Sequence, residues 1–489
     1  MSVTRRTVLI PLVTALTAPW VVGPSLALPA TAASCPAFLA VAAPYATVDG
    51  RPRAGTVTLF HGSKKVATLH QGAAGISGTP ERDDAFGSAL VKGDFDGDGC
   101  ADLAIGASEE FSGDRVPGAD GNGVVHILYG TPHGLKEVGT VDVTLLGRKY
   151  GSDRFGAALA AGDLDGDGDD ELVVGVPGLD GGGGVGIFGS GGAEPYGKGR
   201  LITQATSWVG QEPGETDQFG VALATGDFDG DGDDELAVGA PGDGGTRSGS
   251  GVVTVIDPRT RYAGVYTQES PGVKGDGEKW DAFGAALASG DFNGDGRDDL
   301  AIGVPGEDLS TVVRGMDYGD GAVNVLYGSR RGLTAVGSEL WSRNTLKGTP
   351  HYYDRFGTSL AAGDLNGDGD DELIVGVPGE DAVQVLAGTR SGGLTRENDV
   401  LVTGLKGSGF GSSVGVGDGG LLVASAATGT VTLIGTERKK GPFTGLLPGT
   451  ARVLTGGAGA RYENAGHTDG HTDGAGAGGD GDLFGYALA

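Results

Sequence analysis

Cysteine, methionine and positive charge are all scarce in this chain. Its 489 residues include 2 Cys, 2 Met and 35 Lys+Arg, against 64 Asp+Glu. The resulting net charge of −29 argues against nucleic acid or an anionic membrane surface as a partner. No segment sustains a 3.6-residue apolar period, so a helical fold is not expected. No zinc motif, no G-x-S-x-G nucleophile turn and no unique carboxylate pair outside the repeats can be found, which leaves nothing to assign as catalytic. A run of apolar residues long enough to span a membrane is also missing; the one apolar stretch, at the N-terminus, is short for a span.

That stretch reads as an export signal. Arg5 and Arg6 precede "TVLIPLVTALTAPWVVG", broken by Pro11, Pro19 and Pro24, and Ala30-Thr31-Ala32 supplies an A-x-A site. The expectation is a signal peptide over 1–33 and a secreted, extracellular protein over 34–489. Export by the general or the twin-arginine route fits the sequence about equally. Cys35 and Cys100 then remain, and in an oxidising compartment they either pair or stay free.

Glycine is abundant: 99 residues, beside a normal 38% hydrophobic content. Aliphatic runs recur throughout, so neither collagen nor disorder fits. The chain repeats itself. Phe-Gly occurs at Phe86, Phe155, Phe219, Phe283, Phe356, Phe410 and Phe484. A second phrase runs "FLAVAAP" from Phe38, "DLAIGAS", "ELVVGVP", "ELAVGAP", "DLAIGVP", "ELIVGVP" and "LLVASAA". A third resembles "GVVHILYG", and a looser fourth closes on Gly. Each is short, often β-branched or alternating, and bounded by Gly, Pro or Asp, as strands are. Four short strands repeated seven times predict an all-β, seven-bladed β-propeller. The N-terminal part opens on a second strand and "DLFGYALA", Asp482–Ala489, is a first strand. The two ends are therefore expected to share the closing blade, and loss of the last eight residues to expose an inner strand edge.

Between the first and second strands of five repeats lies an acidic phrase, D-x-[DN]-x-D-G-x-x-[DE]. It comprises Asp94, Asp96, Asp98, Cys100 and Asp102, and then Asp163, Asp165, Asp167, Asp169 and Glu171. The third copy holds Asp227, Asp229, Asp231, Asp233 and Glu235, and the fourth Asp291, Asn293, Asp295, Arg297 and Asp299. The fifth has Asp364, Asn366, Asp368, Asp370 and Glu372. Positions 1, 3, 5 and 9 bring hard oxygens, position 7 offers its backbone carbonyl, and Gly at position 6 permits the turn. Such a donor set selects Ca²⁺, giving about five structural sites. An EF-hand would need Glu at position 12, where Ile105, Val174, Val238, Ile302 and Val375 stand instead. A metal-free acidic turn is the plainer alternative, weakened by recurring five times at one place in the repeat. The sixth repeat has only "GVGDGGLL" from Gly415, and no metal is assigned there.

Phe-Gly, the acidic loop and then "VGVPG" or "VGAPG" together resemble the FG-GAP repeat of the integrin α-subunit propeller. The resemblance covers essentially the whole exported chain. It implies calcium in the strand 1–2 loops of the lower face and partner binding on the upper face, built from the 4–1 and 2–3 loops. The other integrin domains and their membrane helix have no counterpart, so integrin function does not carry over.

Upper-face candidates are Trp280, Arg314, Tyr318, His351, Tyr352 and Tyr353. Exposed aromatics with Arg suit a protein or glycan ligand, but packing between blades suits aromatics equally. "HTDGHTDGAGAGGDGD" from His467 reads as a tandem duplication before the closing strand. The expected function is that of a secreted, monomeric, non-catalytic binding or adhesion module. The alternatives are a propeller lyase or hydrolase acting on glycans, and a lectin that holds sugar through calcium. Fold does not decide among these.

Overall fold

The computed structural model describes residues 35–73, 75–111, 121–189, 196–244, 248–309, 319–346, 351–417, 420–435 and 451–454. The expected signal peptide, the His467 segment and the Asp482–Ala489 strand lie outside the described residues. Among those described there is no α-helix, and no helix is long and apolar enough to cross a membrane.

Seven antiparallel sheets form a seven-bladed propeller; among the described residues six have four strands and one has three. Blade 1 consists of Phe86–Gly93, Asp102–Ala107, Val124–Tyr129 and Lys136–Val141, each paired with the next. Blades 2 to 6 begin at Leu159, Ala222, Ala286, Leu360 and Phe410. The three-stranded sheet, Leu39–Ala43, Thr56–His61 and Lys64–Leu69, is the closing blade, and "FLAVAAP" supplies the first of its described strands. It packs on blade 1 through Ala40, Ala42, Phe86 and Ile105, and on blade 6 through Leu39, Val41, Leu422 and Val431.

The second strand of every four-stranded blade is buried along its whole length. Both of its faces meet neighbouring blades, so it reads as a continuous apolar run, without alternation. Its glycine has a steric cause. A Cβ on Gly106, Gly175, Gly239, Gly303 or Gly376 would lie 2.1–2.2 Å from the carbonyl oxygen of the Phe-Gly glycine in the next blade. That next glycine holds φ between +84° and +94° at Gly156, Gly220, Gly284, Gly357 and Gly411, a conformation side chains rarely adopt. The phenylalanines before it are buried, so each Phe-Gly turn is a plug pressed into the preceding blade.

Cys35 and Cys100 are joined, with Cα atoms 5.6 Å apart, and tie the closing blade to blade 1. The bond spans 65 residues of sequence, for which chain entropy gives roughly 4 kcal/mol of stabilisation. Replacing both cysteines by serine should lower the unfolding free energy by a few kcal/mol. Denaturant titration checks this, and an unchanged midpoint would mean that packing alone secures the closing blade.

Candidate metal centre

The five acidic loops link strands 1 and 2 at one rim of the ring and share one internal wiring. The position 9 carboxylate opens the buried second strand and accepts the N–H of position 2. This occurs at Asp102, Glu171, Glu235, Asp299 and Glu372, over 2.8–3.0 Å. The position 1 carboxylate accepts the N–H of the position 6 glycine in all five loops, over 2.8–3.1 Å. The position 5 carboxylate turns back to accept the N–H of position 7.

Positions 1, 3 and 9 converge. One oxygen each from Asp94, Asp96 and Asp102 lies within 4.8 Å of the others, and Asp163/Asp165/Glu171 and Asp227/Asp229/Glu235 repeat the arrangement. In the fourth and fifth loops Asn stands at position 3. Asn293 donates its amide to Asp299 at 3.0 Å, and Asn366 to Glu372 at 3.1 Å. The position 5 residues Asp98, Asp167, Asp231, Asp295 and Asp368 stay outside these converging groups. Position 7 side chains lean away as well. Cys100 is in the disulfide, Asp233 pairs with Arg259, Arg297 with Asp295, and Asp370 with Arg390. This leaves the backbone carbonyl as what position 7 can offer.

A hard cation fits this donor set. Asp94 Oδ1 is buried with no hydrogen-bond partner among the described residues. Burial pushes the position 9 carboxyls far up, Asp102 to about 7, Glu171, Glu235 and Asp299 to about 8, and Glu372 to about 9. Neighbouring loop carboxylates add to the shift, and only a positive charge at the centre would reverse it.

Position 8, which the motif leaves unspecified, turns out to matter. Asp170, Asp234, Asp298 and Asp371 each donate their N–H to the position 1 carbonyl of the preceding blade, over 2.8–3.0 Å. In return, Asp170, Asp298 and Asp371 accept the N–H of Asp94, Asp227 and Asp291 through their side chains, over 2.8–3.2 Å. The acidic loops are therefore clasped to one another around the rim. Blade 1 follows the closing blade and has Ala101 at this position. That alternation was the available signal, and it reads only once the partner blade is known.

At the opposite rim the D-x-F-G aspartates Asp84, Asp153, Asp217, Asp281 and Asp354 are buried beneath the 4–1 turns. Tyr352 and Tyr353 are exposed there by 45% and 56%, whereas Trp280 is half-buried with Lys279 Nζ 4.7 Å above its ring. His351 Nδ1 is 2.7 Å from Glu380 Oε1. Arg314 and Tyr318 lie outside the described residues.

Comparison with known proteins agrees with this architecture. The FG-GAP repeat model matches residues 86–128, 155–188, 219–256, 283–326 and 356–394. Integrin alpha-PS2 of Drosophila melanogaster is 32% identical over 189 residues, 37% of this chain and 12% of that protein. Phosphatidylinositol-glycan-specific phospholipase D of Bos taurus is 32% identical over 170 residues, 33% of this chain and 19% of that protein. The match thus spans under a fifth of either relative. Among solved structures, the periplasmic gluconolactonase of Pseudomonas aeruginosa covers 86% of this chain and 99% of its own at 13% identity, with a TM-score of 0.44.

Carboxyls raised to about 7–9 stabilise the fold while protonated, and that contribution is lost as pH climbs through those values. In chelator, the melting temperature should therefore fall from about pH 5 to pH 9, and excess Ca²⁺ should remove the fall. Scanning calorimetry across that range checks this. Parallel curves with and without the ion would reject the loops as cation sites.

Proposed function

We propose that this chain, an integrin-α-like β-propeller built of FG-GAP repeats, is a secreted, non-catalytic binding module. Calcium in its five acidic loops would act as scaffold. The observation that carries the reading is the fivefold recurrence of one loop wiring, in three copies of which the carboxylates of positions 1, 3 and 9 converge. Asp94, Asp96 and Asp102 would hold the ion in the first loop, completed by the Cys100 carbonyl, and the same positions would do so in the other four. Bound there, the ion neutralises carboxylates that otherwise repel one another, and stiffens the clasped rim.

That rim is then free to be rigid while the other one recognises. The partner would be an extracellular protein or glycan received by the 4–1 and 2–3 loops. Tyr352 and Tyr353 offer exposed aromatic faces there, near His351. Aromatic surface anchors binding at low entropic cost.

Extracellular calcium modules bind at about 10⁻⁴–10⁻³ M, so five sites near or above saturation contribute roughly 2–7 kcal/mol. Thermal unfolding of the exported form should show a large rise with Ca²⁺ and little with Mg²⁺. Glu235→Gln should remove about a fifth of that rise. A glycan array probed with the calcium form, with and without Tyr353→Ala, separates glycan from protein ligands. Turnover of an array glycan would overturn the non-catalytic reading.

A further inference from the structure

The upper rim holds acidic groups that the calcium scaffold does not use. At the boundary of blades 3 and 4, Asp281 lies beside Glu278 of its own turn and Glu307 of the 2–3 loop. One carboxylate oxygen from each lies within 4.8 Å of the other two. Asp281 is 1% exposed and Glu307 5% exposed, and neither forms an ion pair among the described residues. Three carboxylates sharing so small a volume in low dielectric cannot all ionise without a positive charge among them.

Two further observations indicate what belongs there. Gln268, 3% exposed, reaches across from the end of blade 3 and donates Nε2 to Glu307 Oε2 at 2.6 Å. Its carbonyl oxygen, on the same amide group and so at the edge of the cluster, is buried without a partner among the described residues. One blade further on, the same positions are filled differently. Arg343 replaces Gln268 and places Nη2 2.5 Å from Glu380 Oε2. His351 replaces Glu278, with Nδ1 2.7 Å from Glu380 Oε1 and 3.9 Å from Asp354 Oδ1. There the protein places a guanidinium and an imidazole against the carboxylates; at Asp281 it places no basic side chain among the described residues.

We propose that Glu278, Asp281, Glu307 and the Gln268 carbonyl form a cation site on the upper rim. It would take a hard divalent ion of the calcium type, at the place Arg343 and His351 fill in the next blade. All the donors are oxygens, which excludes soft metals. The ion ties the turn before blade 4 to the 2–3 loop of that blade and to the end of blade 3. It also lies beside Trp280, the neighbour of Asp281 in sequence.

Trp280 makes the site visible. Terbium(III), a calcium substitute, emits when a nearby tryptophan is excited, and none of the five lower loops contains a tryptophan. In the full exported chain, Glu307→Gln and Trp280→Phe should each abolish most tryptophan-excited emission. Glu307→Gln should also bind one ion fewer by equilibrium dialysis. Glu235→Gln, in a lower loop, should keep the emission. If Glu307→Gln fails to fold by circular dichroism, Glu278→Gln at the exposed edge replaces it. Unchanged emission and ion number in the Glu307 or Glu278 variant would overturn the site. Failure of the lower-loop reading looks different: emission sensitive to Glu307 would persist while the total falls to one ion.

Discussion

The contact on which this molecule depends is the one made at five blade boundaries between a Phe-Gly carbonyl and the second-strand glycine of the blade before it. At 2.1–2.2 Å from where a Cβ would stand, the two backbones are as close as they can be. Such an approach fixes the offset between neighbouring blades more strictly than apolar packing does, because a carbonyl against a backbone cannot be repacked. Repeated from blade to blade, it sets the ring. The ring in turn sends every 1–2 loop to one rim and every D-x-F-G turn to the other. The two rims differ in chemistry because one short sequence places an acidic loop immediately after the strand that the plug begins.

Geometry this regular has an electrostatic cost. Placing acidic loops side by side raises the charge density of a chain already at −29. The position 8 clasp turns part of that charge to structural use, since its aspartate accepts an N–H from the neighbouring loop. The clasp is itself strained electrically. Burial raises Asp234 to about 7 and Asp298 and Asp371 to about 6. A cation in each loop would lower the potential felt by its own ligands and by the clasp beside them. Metal and clasp would then support one another across blade boundaries.

The blades, their order and the acidic loops were legible from sequence because each is a local pattern repeated many times. The burial of "ELVVGV" and the tight turn of "DGDGD" follow from composition within a few residues. What stayed hidden depends on pairs far apart in the chain. Asp170 looks like one more solvated acid until Asp94 appears beside it, and Gln268 is anonymous until Glu307 arrives from the next blade. The Cys35–Cys100 bond was open for the same reason. The fate of Trp280 and Tyr353 divided along the same line: one lies half-buried under Lys279, the other in solvent, and sequence gives both the same D-x-F-G context.

These pairings also explain why the disulfide is where it is. In blades 2 to 5 the position 7 side chain lies over the position 4 glycine of the preceding loop. A Cβ on Gly97 or Gly166 would meet Asp169 or Asp233, and one on Gly230 or Gly294 would meet Arg297 or Asp370. Position 7 is thus the residue that reaches backward around the ring. In blade 1 the preceding blade is the closing one, which has no acidic loop among the described residues, and Ala101 makes no side-chain clasp. At that gap position 7 is Cys100, and it reaches backward to Cys35. Where the electrostatic clasp has no partner, a covalent bond occupies the same position and joins the same two neighbours. It also anchors the first acidic loop directly to the closing blade.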